Sequence, residues 1–277
     1  MQWTCPNCNS PVASPYCPAC GENERHTHEP TLKVLFAHFF EAFTNIDSRL
    51  LRSFRYLATR PGELTNAYLS GQRKPYLGPV TLFLIINVLF FAVEALTGGK
   101  VFNAPLASHL HTQPWSDAIA GLVNRRLESM HTTLAAYAPI FDQAVELKAR
   151  SLIIFMALAF SLAPTLAFQR SKRPLVAHVV FSLHFYAFFL LLLCAATTIP
   201  FVSSLLGGPG FDSVPLDNAI AIGILAASAV YLYFAIRTVY GAQGLVLVFK
   251  TIALTVAVAA AVLAYRFALL LVTLYTT

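Results

Sequence analysis

The sequence predicts an all-α integral membrane protein with about five transmembrane helices, amphipathic helices at the membrane surface and a small cysteine-rich N-terminal module. Of its 277 residues, 57% are hydrophobic and only 12% are charged, which is about half the charged fraction of a soluble domain. Five apolar runs are long enough to cross a bilayer, since a span needs about 20 residues. Four of the five cysteines lie within the first 20 residues.

The cysteine-rich module, residues 1–24, contains two CxxC pairs separated by eight residues. A hairpin of that length lets the two pairs face each other, and four sulfurs placed in this way form the tetrahedral site that zinc accepts. A segment this short cannot bury a core of its own, so a bound metal would supply its folding free energy. The sequence therefore predicts a zinc ribbon whose structural zinc ion is held by Cys5, Cys8, Cys17 and Cys20.

Three other kinds of chemistry remain open for these cysteines: two disulfides, a redox-active CxxC pair or an iron site. Disulfides need an oxidising compartment, and the orientation predicted below argues against one. Because protein sulfur would fill all four positions around the ion, no position stays open for catalysis. The fifth cysteine, Cys194, lies in an apolar run and is predicted to be a packing residue.

Residues 25–78 form a predicted basic belt of amphipathic helices. Apolar residues recur with helical spacing from Leu32 to Phe43. A second helix follows Asp47 or Ser48, either of which can cap it, and a third helix covers about 63–70. Helices of this kind suit the lipid headgroup layer, and the alternative is that they pack on the transmembrane bundle. The cations assigned to the membrane surface or to helix ends are Arg49, Arg52, Arg55, Arg73, Lys74 and Arg237.

The predicted transmembrane domain covers residues 79–277, and its loops differ in charge. The loop 169–174 has three cations and no acid, whereas the loop 201–217 has two acids and no cation. Because cytoplasmic loops are enriched in Lys and Arg, the first loop and the N-terminus are predicted to be cytoplasmic and the C-terminus extracytoplasmic. The spans are predicted at about 79–97, 150–168, 175–200, 218–237 and 246–272.

The segment 98–149 between the first two spans is predicted to be extracytoplasmic and helical. Its apolar residues from Ile119 to Phe141 recur on one helical face, which indicates a cap on the outer surface of the bundle. The three histidines of this segment, His109, His111 and His131, are expected to lie on the surface.

Polar residues inside the predicted spans form a second candidate site. Ionisable groups in a bilayer are costly and therefore mark candidate functional positions. The candidate intramembrane polar site consists of His184, Tyr186, Asn87 and Tyr231. The alternative is that these side chains form interhelical hydrogen bonds worth about 0.6 kcal/mol each. Near the outer ends of two spans, Glu94 and Arg266 are expected at a similar depth, where they can pair.

Several stretches of the chain resemble a known bacterial membrane family. The residues that carry the resemblance are Asp47-x5-Ser53-x3-Leu57-x2-Arg60-Pro61-Gly62 and Tyr68-Leu69-x-Gly71-x-Arg73-Lys74-x-Tyr76-x2-Pro79. The stretches 183–188 and 231–241 and the N-terminal cysteine ribbon are also similar to that family. The pattern resembles the family called domain of unknown function 3667, in which a threonine often stands in place of Ser53. The resemblance implies this architecture and a bacterial inner membrane, and it implies no activity.

No catalytic motif accompanies these features, so three functional hypotheses remain. The first is a non-enzymatic inner-membrane protein whose cytoplasmic zinc ribbon and basic belt recruit an unidentified cytoplasmic protein or sense the membrane surface. The alternative is a small-solute transporter or channel subunit that uses the polar site around His184. A third is an intramembrane enzyme that pairs His184 with a carboxylate such as Glu94. The expected partners are the lipid bilayer, a cytoplasmic protein and, for the transporter hypothesis, further copies of the chain in a homo-oligomer; no nucleic acid is expected.

Overall fold

The computed structural model describes residues 3–20, 47–171 and 173–277. Within these ranges the regular structure is helical, apart from a two-stranded ribbon near the N-terminus. Five of the described helices are long and apolar enough to cross a membrane, which confirms the predicted all-α membrane class. The first predicted belt helix, from Leu32 to Phe43, lies outside the described residues.

The N-terminal ribbon pairs two short antiparallel strands, β1 (Trp3–Thr4) and β2 (Pro11–Val12). Its buried apolar residues are Cys5, Val12 and Cys17. A core of three small side chains is far below what an independently stable domain needs. The ribbon therefore depends on a further source of folding free energy.

Two short helices, α1 (Asp47–Thr59) and α2 (Glu63–Leu69), precede the first spanning helix. The hydroxyl oxygen of Ser53 accepts a hydrogen bond from the backbone N–H of Leu77 at 2.9 Å, so the chain after α2 turns back along α1. Buried apolar residues of both helices belong to the same hydrophobic core as the spanning helices. The two helices therefore pack on the bundle, although the side chains of Arg52 and Arg55 remain exposed.

The spanning helices follow. In chain order the remaining helices are α3 (Pro79–Thr97), α4 (Leu106–His111), α5 (Ser116–Ser129), α6 (Leu134–Phe160), α7 (Leu162–Ala167), α8 (Leu175–Leu205), α9 (Val214–Tyr240) and α10 (Gly244–Thr276). Those that can cross a membrane are α3, α6 together with α7, α8, α9 and α10. The α6–α7 stretch has 34 residues, or roughly 50 Å at 1.5 Å per residue. Because a hydrocarbon core is only about 30 Å thick, the first turns of α6 extend beyond it.

The third spanning helix, α8, lies at the centre of the bundle. In its most apolar stretch 72% of the residues are buried, compared with 28% in α9 and in α10. It packs mainly along α3 and also contacts α1, α2, α6, α7 and α9. The outer faces of α9 and α10 are correspondingly apolar and exposed, as lipid-facing helices require.

The two ends of the bundle differ in charge. At the end that we call the basic end, α3, α8 and α10 begin, α7 and α9 finish, and α1 and α2 pack. Its segments, residues 47–78, 169–174 and 237–250, carry eleven Lys and Arg and two acids. At the opposite end, which we call the loop end, residues 94–150, 201–217 and 266 carry six Lys and Arg and seven acids.

The loop end is closed by residues 98–133, which pack against α3, α6 and α10. Phe102 contacts Phe90 and Tyr265 edge to face, with ring centroids 5.6 and 5.7 Å away. His109 is buried, so the expectation of a surface position is wrong for this residue, whereas His111 and His131 are exposed.

A physical reason for burying His109 lies in its contact with Trp115, whose indole N–H donates to Nδ1 of the imidazole at 3.3 Å. Only a neutral imidazole can accept this bond. Burial, and to a lesser degree the nearby Arg266, lower the pKa of His109 to about 4, which keeps the ring neutral.

The contact between α2 and α9 predicts the effect of one substitution. Gly62 has a φ of +86°, and a Cβ atom there would lie 2.9 Å from Cβ of Thr238. Gly62→Ala should therefore lower the free energy of unfolding by about 1–3 kcal/mol through overlap, in addition to the cost of a left-handed alanine. Gly241→Ala is the matched control, because Gly241 also has a positive φ but a Cβ there meets no atom within 4 Å.

Thermal unfolding of the detergent-solubilised variants measures the difference. Equal melting temperatures for the two variants would contradict a close contact between α2 and α9.

Candidate functional site

The four N-terminal cysteines form a compact cluster. Their Sγ atoms all lie within 4.8 Å of one another. Sγ of Cys5 is 3.5 Å from that of Cys20, and Sγ of Cys8 is 3.5 Å from that of Cys17. A metal–sulfur bond of about 2.3 Å in a regular tetrahedron requires about 3.8 Å between sulfurs. The arrangement therefore fits one tetrahedral metal ion bound by all four residues.

A tight turn places the first CxxC pair. The backbone N–H of Asn9 donates to the carbonyl oxygen of Cys5 at 2.8 Å, and the N–H of Cys5 donates to that of Ser10 at 3.0 Å. Asn9 adopts a φ of +57°, a conformation that asparagine tolerates better than most residues. The turn directs the sulfurs of Cys5 and Cys8 to the same side of the ribbon.

The first pair of thiols differ in their surroundings. Burial raises the pKa of Cys5 to about 12. By contrast, the hydroxyl and backbone N–H of Ser10 lower the pKa of Cys8 to about 6. A bound cation stabilises the thiolate form of every ligand, so metal binding at this cluster releases protons.

A second group of contacts joins α2 to the spanning helices. The hydroxyl of Thr65 lies 2.9 Å from Nδ1 of His184 in α8, and both residues are buried. The next residue, Asn66, donates from Nδ2 to the carbonyl oxygen of Thr238 in α9 at 2.9 Å. Two neighbouring side chains of one short helix therefore hold α8 and α9 at the basic end.

The other members of the predicted intramembrane site are not hydrogen-bonded to one another or to His184 among the described residues. Tyr231 stacks on Phe188 with a centroid distance of 3.8 Å. The hydroxyl of Tyr186 and Nδ2 of Asn87 are buried and have no hydrogen-bond partner among the described residues. In the part of the chain that is described, none of His184, Tyr186, Asn87 and Tyr231 hydrogen-bonds to another of the four.

The predicted surface cations occupy different environments. Arg52, Arg55 and Arg237 are exposed, and Arg49 and Lys74 are half-buried. Arg73 is instead buried, with its guanidinium carbon 5.0 Å above the ring of Tyr68. Burial raises the pKa of the Tyr68 hydroxyl, and the charge of Arg73 partly opposes this shift. Arg73 is thus a packing residue as well as a cation.

Comparison with known proteins bears on the region that makes these contacts. Residues 47–91 match the family described as "Protein of unknown function (DUF3667)". This confirms the predicted resemblance over α1, α2 and the first two-thirds of α3. No curated protein matches the chain, and no solved structure matches it.

The DUF3667 segment, residues 47–91, supplies three of the side chains that make contacts at the basic end. Ser53, Thr65 and Asn66 all lie in it, and the last two bond to helices outside it. The sequence pattern marks His184 but not Thr65, because the two residues are 119 positions apart and no local pattern connects them. Its first two helices, α1 and α2, therefore form a collar on the spanning helices, and the rest of the segment belongs to the spanning helix α3.

The Thr65–His184 contact predicts a stability difference between two threonine variants. Thr65→Val keeps the side-chain shape but leaves Nδ1 of a buried histidine without a partner, which should cost about 1–3 kcal/mol. Thr81→Val is the control, because the Thr81 hydroxyl is buried without a partner among the described residues. Its removal should be neutral or stabilising. Thermal unfolding in detergent measures both, and a Thr81→Val protein that loses as much stability as Thr65→Val would argue against the contact.

Proposed function

We propose that this protein is a non-catalytic scaffold of the bacterial inner membrane, which displays a zinc ribbon on the cytoplasmic face to recruit a protein partner. The DUF3667 segment forms a basic collar at the same face and contacts anionic lipid headgroups. The observation that carries the proposal is the closed cluster of four cysteine sulfurs within 4.8 Å of one another.

The donor set supports zinc as the ion. Thiolates favour zinc and iron over hard cations such as magnesium, and a site of four cysteines is typical of structural zinc. With four protein ligands the ion has no free position for water or substrate. Zinc would then stabilise the ribbon, and the ribbon surface would provide the binding function.

The charge difference between the two ends supports the orientation. Eleven Lys and Arg against two acids at the basic end, compared with six against seven at the loop end, follow the positive-inside rule. We place the basic end and the N-terminus in the cytoplasm and the C-terminus outside. A reducing cytoplasm also keeps the four thiols available for metal.

The exposed arginines of α1 support a role at the lipid surface. Arg52 and Arg55 point away from the core that α1 shares with the bundle, and Leu51 beside them is 77% exposed. A cation near an anionic leaflet contributes about 1 kcal/mol. The same helix is fixed to the bundle by its buried face, so the basic collar stays at one depth.

The transport and intramembrane-enzyme hypotheses receive less support from the contacts of His184. Its Nδ1 is paired with Thr65, which binds the imidazole to the collar. The polar atoms of Tyr186 and Asn87 belong to no hydrogen-bonded group with it among the described residues. These contacts favour a structural role for His184.

Replacement of one ligand tests the ribbon and its partner together. The purified wild type is expected to contain one zinc ion per chain and to recover a cytoplasmic protein by affinity capture from native membranes. Cys17→Ser should lose both, because three ligands do not hold the ribbon folded, while the spanning helices stay intact. Cys194→Ser is the control and should retain both. A Cys17→Ser protein without zinc that captures the same partner would rule out recruitment by the ribbon.

Thiol labelling tests the orientation. In a Cys194→Ser background, a membrane-impermeant maleimide added to intact cells should leave the four ribbon cysteines unmodified, even after zinc is removed by a permeant chelator. Permeabilised cells should be labelled, because the ribbon then becomes accessible. Labelling in intact cells would place the ribbon outside and reverse the topology.

A further inference from the structure

The loop end contains a cavity that the proposed function does not use. It has a volume of about 230 Å³ and lies between the last turn of α3, the loop 98–103 and α6. We call it the loop-end cavity. The residues that line it are Phe91, Glu94, Ala95, Gly98, Gly99, Lys100, Asn103, Glu146 and Arg150. A Cβ atom at Gly98 would meet nothing within 4 Å, so the cavity is open on this side.

The loop beside the cavity is held in place by the backbone N–H and the backbone carbonyl group of Val101. The backbone N–H of Val101 donates to Oε1 of Glu94 at 2.7 Å. The carbonyl oxygen of Val101 accepts a hydrogen bond from Nε of Arg266 at 3.0 Å. The expected pairing of Glu94 with Arg266 is thus made through Val101 and not directly. Hydrogen bonds to buried Glu94 and half-buried Arg266 therefore fix the loop, so the cavity is preformed.

The lining carries charges of both signs. Glu94 and Glu146 contribute carboxylates, while Lys100 contributes an ammonium and Arg150 a guanidinium. Arg150 pairs with Glu146 and also lies 5.9 Å from the ring of Phe91. In addition, Oδ1 of Asn103 is buried and accepts no hydrogen bond from the described residues. An unsatisfied buried acceptor in a native structure calls for a bound water, ion or ligand.

We propose that the loop-end cavity binds a zwitterion composed of a primary ammonium and a phosphate, of the kind found in a phosphoethanolamine headgroup. A ligand with one charge would meet like charges on part of the lining, which is unfavourable. The ammonium donates to Oδ1 of Asn103 and to the carboxylate of Glu94. The phosphate accepts from Lys100 and Arg150, which are exposed enough to reach it.

The volume of the cavity and its position along α3 fit a lipid headgroup. Its volume lies below the range of about 300–1,000 Å³ that drug-sized ligands occupy. The helix α3 has 19 residues, or about 28 Å, which matches a hydrocarbon core of about 30 Å. Glu94 lies one turn before the end of α3, so the cavity lies where the hydrocarbon meets the headgroups. The proposal holds for either orientation of the chain and is independent of the ribbon.

Native mass spectrometry of the full chain in detergent tests this proposal. The protein is mixed with equal amounts of phosphatidylethanolamine, phosphatidylcholine and phosphatidylglycerol, and the retained lipid is identified. We expect phosphatidylethanolamine to be retained about tenfold over the other two, since phosphatidylcholine lacks ammonium hydrogens and phosphatidylglycerol lacks the cation. A second arm adds free phosphoethanolamine as a competitor, which distinguishes a soluble zwitterion from a lipid.

Two cavity variants and one control make the test specific. Lys100→Ala removes an exposed cation and should reduce retention about tenfold without loss of stability. Asn103→Leu should abolish the preference over phosphatidylcholine. Arg125→Ala, an exposed cation of α5 outside the cavity, should change nothing.

Each outcome of the lipid-binding test either supports or overturns the proposed headgroup site. Selective retention that both cavity variants reduce supports a lipid headgroup, and binding of free phosphoethanolamine alone supports the same site with a soluble ligand. Equal retention of all three lipids with no binding of free phosphoethanolamine overturns the proposal. Retention of phosphatidylethanolamine that Lys100→Ala leaves unchanged overturns it as well.

Discussion

The burial of α8 is the constraint on which the rest of the bundle depends. Polar groups on the enclosed part of a helix can find hydrogen-bond partners only within the protein. At the basic end two of these groups have partners: Thr65 in α2 meets His184, and the hydroxyl of Tyr240 in α9 lies 2.8 Å from Nδ1 of His178. The ring of Tyr240 also stacks on Phe168, with 3.8 Å between centroids. Enclosing α8 therefore requires the collar as well as the spanning helices.

At the loop end, backbone groups provide the hydrogen-bond partners of the ionisable side chains. Glu94 lies one turn before the end of α3 and Arg266 lies ten residues before the end of α10, and a lone charge within the hydrocarbon costs several kcal/mol. Each is matched by one polar group of Val101, so a single residue of the connecting loop satisfies both charges. The loop is in turn fixed by Phe102, whose ring packs between Phe90 and Tyr265. Residues 98–105 are consequently part of the bundle and not a free linker.

The sequence is sufficient to predict the features that depend on residues close together along the chain. Apolar runs reveal spanning helices because the signal lies within each helix, and the CxxC spacing reveals the cysteine cluster because its four residues lie within 16 positions of one another. The Thr65–His184 contact, the route from Glu94 to Arg266 through Val101 and the burial of His109 all join residues that are far apart or depend on loop geometry. The start of α6 at Leu134 also depends on such geometry, since His131 has a φ of +50° and Thr133 caps the helix. Local periodicity from Ile119 to Phe141 cannot show this break.

The membrane bundle and the N-terminal ribbon are stabilised by different interactions, so one can unfold without the other. The bundle and its collar share one continuous hydrophobic core that extends from Leu57 to Leu274, so they unfold as a unit. The ribbon has a core of three small residues, and a metal ion bound by its four cysteines would supply folding free energy. Loss of metal would therefore unfold the ribbon and leave the collar seated on α8 and α9. A protein built in this way can lose and regain its folded N-terminal ribbon without any change in the membrane domain that carries it.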